Sequence, residues 1–358
     1  MPSPAFSAAS TADPAVLALP QHTPLVAAVR DGLVESVHYG SAIALGPDGT
    51  AAAAAGDPQA AFYPRSSLKP LQAVAMVRAG LKLPADLLAL AAASHSGAAA
   101  HRDGALRILE LHGLAASDLG NSTDLPYGVE EREDWLRSGG SATQITQNCS
   151  GKHAAMVATC AINGWPVQGY LHPTHPLQQL VARTVTELTG EQPAALSTDG
   201  CGTPLFALTL HGMARAFGRL AHAAASAGKD DGAIASTSPE AAVGLAMQRH
   251  PEMVAGEGRD VTDLMRLLPG SVAKDGFEGV QLVGLADGSA VAVKISDGGD
   301  RARMPATVRM LEALGQETDE LAGIATAPVL GGGHEVGRLQ ATDFLNHNTL
   351  SAPVNEAL

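Results

Sequence analysis

Three short stretches, far apart in the chain, carry residues able to do chemistry together. They are Arg65-Ser66-Ser67-Leu68-Lys69, Cys149-Ser150-Gly151-Lys152-His153 and Asp199-Gly200-Cys201-Gly202. Ser66 and Lys69 stand at i and i+3, which share a helix face; Ser67 and Lys69 do not. Pro70 suits an early helical position. That puts Ser66 near a helix N-terminus, where unpaired amide N–H groups and the positive end of the dipole favour anions. A lysine in a dry pocket can lose its proton near neutral pH and act as a base. It would then activate the serine for acyl transfer. An N-cap serine followed by a surface lysine gives the same pattern.

The second and third stretches hold two of the three cysteines. Cys149, Lys152 and His153 lie at i, i+3 and i+4 on a helix expected to start near 150, so all three can face one point. Thiolates are good ligands for zinc. Cys201 sits between two glycines, in a loop whose backbone can approach a ligand closely. Two small buried thiols with no ligand are the plainer alternative, and a nucleophilic cysteine is a third. Cys160, three turns beyond Cys149 in an apolar helix, reads as core. Ser94-His95-Ser96-Gly97 ends an Ala/Leu helix and serves equally as a helix stop. Lys274 and Lys294 end strands and are ambiguous. Gly331-Gly332-Gly333 is no phosphate loop, because no Gly-Lys-Ser/Thr follows.

The elements that must position these residues change texture twice. Residues 24–54 read as strands broken by Asp-Gly turns. From about 64 to 265 the segments are helix-length, Ala/Leu-rich and ended by Gly. They include QAVAMVRAG, DGALRILELHG, GKHAAMVATCAING and PLFALTLHGMARAFGRLAHAAA; GKDDGAIASTS reads as a loop. Strands return over 270–296, where Asp287-Gly288 signals a hairpin. A helix near 301–314 and a last strand, EVGRLQATD, follow. The expected fold is α/β (α+β): a mostly antiparallel sheet flanked by helices, with an inserted helical subdomain. The expected division is a leader over 1–20 and one catalytic domain over 21–358. Its sheet part is 21–60 and 266–358, and its helical part is 61–265. A cleft where sheet meets helical insert is a usual ligand site.

Composition narrows the classes. Of 358 residues, 46% are hydrophobic and 16% charged, which argues against disorder. A net charge of −13 disfavours nucleic acid and anionic membranes as partners. Three cysteines without disulfide spacing suit a reducing compartment. The Ala/Ser/Pro-rich start has no basic n-region and no sustained apolar run, so it does not read as a signal peptide. The apolar stretch near Leu87–Ala93 is too short to span a bilayer. A cytoplasmic location is the expectation.

The ordered set of segments resembles the asparaginase II family, the rhizobial-type L-asparaginases. The matching pieces are YPRSSLKPLQ (63–72), SHSG with His101 (94–101), NCSGKHAAM (148–156), HPLQ (175–178), DGCGTP (199–204), HPEMVAGEGR (250–259), KDGFEGV (274–280) and KISDGGDRA (294–302). The resemblance implies a fold like that of serine β-lactamases and SxxK glutaminases. It implies hydrolysis of L-asparagine through an acyl-enzyme, with Ser66 as nucleophile, Lys69 as its base, and Ser94 with Lys274 as a second Ser–Lys pair. Arg65 and Asp199 would bind substrate or organise the pocket. Cys149, Lys152 and Cys201 would hold Zn2+, with water in the fourth place, assisting substrate binding more than chemistry. His153 competes for the same place because it shares the helix face. A homodimer is implied as well. Two departures are the phrase GRDVTDLM near 259–265 and a longer leader; neither touches a proposed catalytic residue. Rival readings are an SxxK glutaminase or β-lactamase-like hydrolase, and a non-catalytic zinc- or amino-acid-binding module. A β-lactamase relative would carry a Lys-Thr-Gly-type strand, for which Lys294-Ile-Ser-Asp-Gly is the expected counterpart here.

Overall fold

The computed structural model describes residues 19–227 and 237–346. The expected leader before residue 19 and most of the loop GKDDGAIASTS lie outside them. Strands β1 (Thr23–Arg30), β2 (Leu33–Leu45) and β3 (Ala51–Ala55) precede the helices. β4 (Ala195–Thr198) and β5 (Pro204–Ala207) form a separate small hairpin among them. β6 (Val272–Gly276), β7 (Val280–Gly284), β8 (Ala290–Ile295), β9 (Thr326–Gly331) and β10 (His334–Ala341) follow. The first and last groups join into one antiparallel sheet, ordered β6-β7-β8-β2-β1-β10-β9, with β3 also paired to β2. The two ends of the chain therefore close one sheet, as their strand patterns predict. The Asp31-Gly32 turn between β1 and β2 has positive φ at both residues (45° and 82°), the conformation that matches the twist of a two-residue hairpin.

The helices of the insert are α1 (Lys69–Arg78), α2 (Ala85–Ala91), α3 (Ala99–Glu110), α4 (Val129–Arg137), α5 (Ser150–Ile162), α6 (Pro176–Thr189), α7 (Leu210–Ser226), α8 (Pro239–Arg249), α9 (Pro251–Val254) and α10 (Asp260–Leu267). After β8 come α11 (Arg303–Glu312) and α12 (Asp319–Ile324). α7 and α11 both pack on β8, whose residues are almost all buried. A strand covered on both faces reads as a continuous apolar run, which is the pattern of SAVAVKIS. α5 is buried from Ser150 to Cys160, and Cys160 lies in the core as expected.

The structure corrects the reading in three places. PLFALTLHGMARAFGRLAHAAA is not one helix: β5 comes first, and α7 starts after Thr209, whose hydroxyl caps the Gly212 N–H at 2.9 Å. β9 escaped the sequence reading because Pro328 breaks its strand pattern. It is the edge strand, where a missing ladder donor is tolerated. Lastly, Lys294-Ile-Ser-Asp-Gly lies on the interior strand β8 and the residues after it. The strand packed against the Arg65–Leu68 turn is the other sheet edge, β6, carrying Lys274-Asp275-Gly276.

Candidate active site

Ser66 sits in a single 3-10 turn, Arg65–Leu68, that runs directly into α1. The turn starts from a strained residue: Arg65 has φ 51°, in the left-handed region that non-glycine residues seldom adopt. Ser67 points inward and donates to the Pro64 carbonyl at 2.7 Å. Ser66 is 6% exposed, and its hydroxyl has no hydrogen-bond partner among the described residues. Ser66 and Lys69 border a cavity of about 170 Å3, together with Asn148, Cys149, Asp199 and Cys201. A narrow crevice beyond Ser66 reaches Ser94, Tyr127 and Asp275.

β6 closes in on this turn because residue 276 has no side chain. A Cβ on Gly276 would lie 2.4 Å from the Pro64 carbonyl oxygen and 3.3 Å from the Ser67 nitrogen. The glycine of KDGFEGV thus lets the sheet edge reach the turn that carries Ser66.

The two lysines are partnered differently from the expected pairs. Lys69, buried, donates to Ser94 Oγ at 2.8 Å. Lys274, also buried, donates to the Asp275 carbonyl at 2.9 Å and to the Asp275 carboxylate, not to Ser94. Asp275 in turn accepts from Arg259 at 3.1 Å. Burial, the largest effect, takes Lys69 below the ordinary lysine range, against the pull of Cys149. Burial brings Lys274 down to about 8, with Asp275 opposing. Burial raises Asp275, but Lys274, Arg303 and Arg259 outweigh it and hold the carboxyl well below its usual range. The two buried lysines therefore carry different environments: Lys69 faces a hydroxyl, and Lys274 faces a carboxylate. Asp275 escaped the sequence reading. The signal available was an acidic residue directly after a strand-end lysine.

Arg65 donates from Nε to Asp199 Oδ1 at 2.8 Å, and its guanidinium lies 5.8 Å from the centre of the Phe277 ring. These two residues stand together at the wall of the cavity. Ser122, Asp124 and Gln147 border it as well and were not anticipated. They come from loops, which carry no periodic signal in a single sequence.

The sulfur and nitrogen cluster is assembled by α5 and the loop after β4. The thiols of Cys149 and Cys201 and a ring nitrogen of His153 lie within 4.8 Å of one another, all buried. Lys152 Nζ stands 3.1 Å from Cys201 Sγ and 3.2 Å from Thr203 Oγ1. Tyr170 holds His153 through Nδ1 at 2.6 Å, leaving Nε2 buried without a partner. A hydrogen bond from Cys149 takes the Cys201 thiol well below its usual pKa; burial opposes this, and Lys152 adds to it. Burial, then Cys201, pushes Cys149 up. Burial, then Lys152, lowers His153 to about 4, so its ring is neutral near pH 7. Two sulfurs, one thiolate-prone, and a neutral imidazole nitrogen without a partner fit a tetrahedral soft cation. Lys152 is brought to the same point.

The class is an amidohydrolase of the asparaginase type, and it follows from the family the chain matches. The sequence profile of the L-asparaginase II family matches residues 26–341, and the chain belongs to that family. None of the curated proteins compared with it matches. Among the described residues, no helix is long and apolar enough to cross a membrane.

Proposed function

We propose that the protein is an L-asparaginase that hydrolyses L-asparagine to L-aspartate and ammonia through an acyl-enzyme on Ser66. The observation that carries this is the unpartnered Ser66 hydroxyl bordering the same cavity as the buried amine of Lys69, which rests on Ser94. A cavity of about 170 Å3 is many times the roughly 10–15 Å3 of such space that one water needs, which suits a substrate of amino-acid size.

The geometry supports the following sequence. Arg65 takes the substrate carboxylate, and Asp199 its ammonium, in charge-assisted bonds. Ser66 Oγ attacks the side-chain amide carbon. Its proton passes to the neutral amine of Lys69, through Ser94 Oγ where the path requires it. The Ser66 N–H stabilises the oxyanion. The proton then moves to the amide nitrogen, the C–N bond breaks and ammonia leaves. Water adds to the ester, gives its proton to the same relay, and releases L-aspartate and Ser66.

Cys149 and Cys201, with Lys152 or His153, would hold Zn2+. Bound there, the ion would supply a positive charge that orients the substrate beside Arg65. A homodimer is supported by Val34, Val37 and Tyr39, which the bulge between Val34 and Ser36 brings to one exposed face of β2.

The deciding measurement is ammonia release from L-asparagine and L-glutamine, with and without a chelator. Release from asparagine, far faster than from glutamine, is expected. Faster release from glutamine would turn the reading into a glutaminase, and no release from either would remove it.

A further inference from the structure

A second cavity, of about 460 Å3, shares the Arg65 side chain with the catalytic one but contains neither Ser66 nor Lys69. One of its walls is a polar cluster built by strand register. Ser41 on β2 stands opposite Lys294 on β8. Ser41 Oγ accepts the Asp57 N–H at 2.8 Å, and His22 Nδ1 lies 3.0 Å from the same oxygen. Lys294, His22, Ser41 and Asp57 thus gather at one place, and all four border the cavity.

The charges in this cluster are incompletely answered. Lys294 donates to two backbone carbonyls, of Glu278 at 2.6 Å and Ile295 at 2.7 Å. An ammonium has three hydrogens to give. Among the described residues, no carboxylate lies within ion-pair distance of it. Among the described residues, the Asp57 carboxylate accepts only the Ala60 N–H, at 3.1 Å, and no cation lies within ion-pair distance of it. Both residues are only part-exposed, and charges withdrawn from water are ordinarily paired. The lining also includes the apolar side chains of Phe62, Tyr63, Leu205 and Leu210, alongside Arg65 and Glu278.

An unanswered cation, an unanswered carboxylate and apolar side chains around one cavity are the complement of a zwitterion with a greasy side chain. We propose that this cavity binds a free α-amino acid with an apolar side chain, its carboxylate on Lys294 and its ammonium near Asp57. The site goes beyond the hydrolysis at Ser66: Arg65 borders both cavities, but neither Lys294 nor Asp57 takes part in that reaction.

Calorimetric titration with L-leucine tests it. One leucine should bind per chain, both to the unmodified protein and to Ser66→Ala. Saturating L-asparagine should leave leucine bound to Ser66→Ala. Lys294→Met and Asp57→Asn should each weaken binding about tenfold or more, the scale of one lost charge-assisted hydrogen bond. Lys294→Arg should retain it. On the unmodified protein, 4-methylpentanoate and isopentylamine, each with one of leucine's charges, should bind about tenfold or more weaker. Those two ligands decide the matter should a substituted chain fail to fold. Absence of leucine binding, indifference to both charge-removing changes, or displacement by asparagine would overturn the proposal. The readout is binding, so a protein that released no ammonia from asparagine would lose the function proposed above and keep this site.

Discussion

At the scale of single residues, two adjacent serines have opposite surroundings. Ser67 is spent on the Pro64 carbonyl, while Ser66 is free and borders the cavity. Ser66→Ala should lower kcat by on the order of 10⁴ or more, since a nucleophile–base unit fails as a whole. Ser67→Ala should keep most of the activity and lose about 1 kcal/mol of stability, one buried hydrogen bond. Denaturant unfolding and turnover of the two variants check this; a dead Ser67→Ala with a normal fold would reverse the assignment. The lysines give a second prediction. Burial lowers Lys69, so its amine loses its proton below the ordinary lysine value of about 10.4. Activity should therefore rise with pH through that titration, and Lys69→Arg, which cannot deprotonate, should be nearly inactive. Asp275 supports the charge on Lys274. Asp275→Asn should move Lys274 below its value of about 8, read from the pH titration of the Lys274 ε-carbon by NMR. An unmoved titration would show that Asp275 has only a packing role.

At the scale of elements, the Arg65–Leu68 turn lies between α1 and the edge strand β6. Gly276 sets how close that edge comes. Gly276→Ala forces a contact of 2.4 Å with the Pro64 oxygen, and relief requires the strand or the turn to move. A cost of about 1–3 kcal/mol is expected, with a fall in kcat larger than the stability loss alone explains, because Ser66 rides on the displaced turn. Thermal unfolding and kcat on the same sample separate the two. Full kcat in a stable variant would show that β6 can retreat without disturbing Ser66. A neighbouring contact is of the same kind: a Cβ on Gly151 would lie 2.4 Å from Leu90 Cγ, so α5 lies close on α2 and carries the Cys149 cluster with it.

At the scale of the whole molecule, the cavity at Ser66 and the crevice beyond it collect the 65–69 turn, the Cys149 end of α5, the loop after β4 and the end of β6. The zinc site proposed above, on Cys149 and Cys201 with one nitrogen, is tested at this scale. Elemental analysis after zinc titration should give one ion per chain. Cys149→Ser and Cys201→Ser should lose it and raise KM for asparagine more than they lower kcat, the pattern of weakened ground-state binding. An equal fall in kcat and kcat/KM would move the metal into the chemical step. His153→Ala and Lys152→Met, assayed for zinc retention, tell which nitrogen ligates: the variant that loses zinc names it.

Much of this was legible in the chain itself. Helix spacing selected Ser66 over Ser67 and brought Cys149, Lys152 and His153 to one face, because 3.6 residues per turn is a local property. Strand texture at both ends, with helices between, was enough for one antiparallel sheet around an insert. Long-range contacts decided the rest. The pairing of Lys69 with Ser94, and of Lys274 with Asp275, depends on where side chains 25 residues or one residue apart find room and charge in a buried space. No spacing rule reports that. The same holds for which lysine strand meets the Arg65–Leu68 turn: β6 and β8 read alike in sequence, and only the sheet order places one at the edge and the other inside. The second cavity belongs wholly to tertiary structure, since Lys294 and Ser41 face each other through a strand register that spans most of the chain.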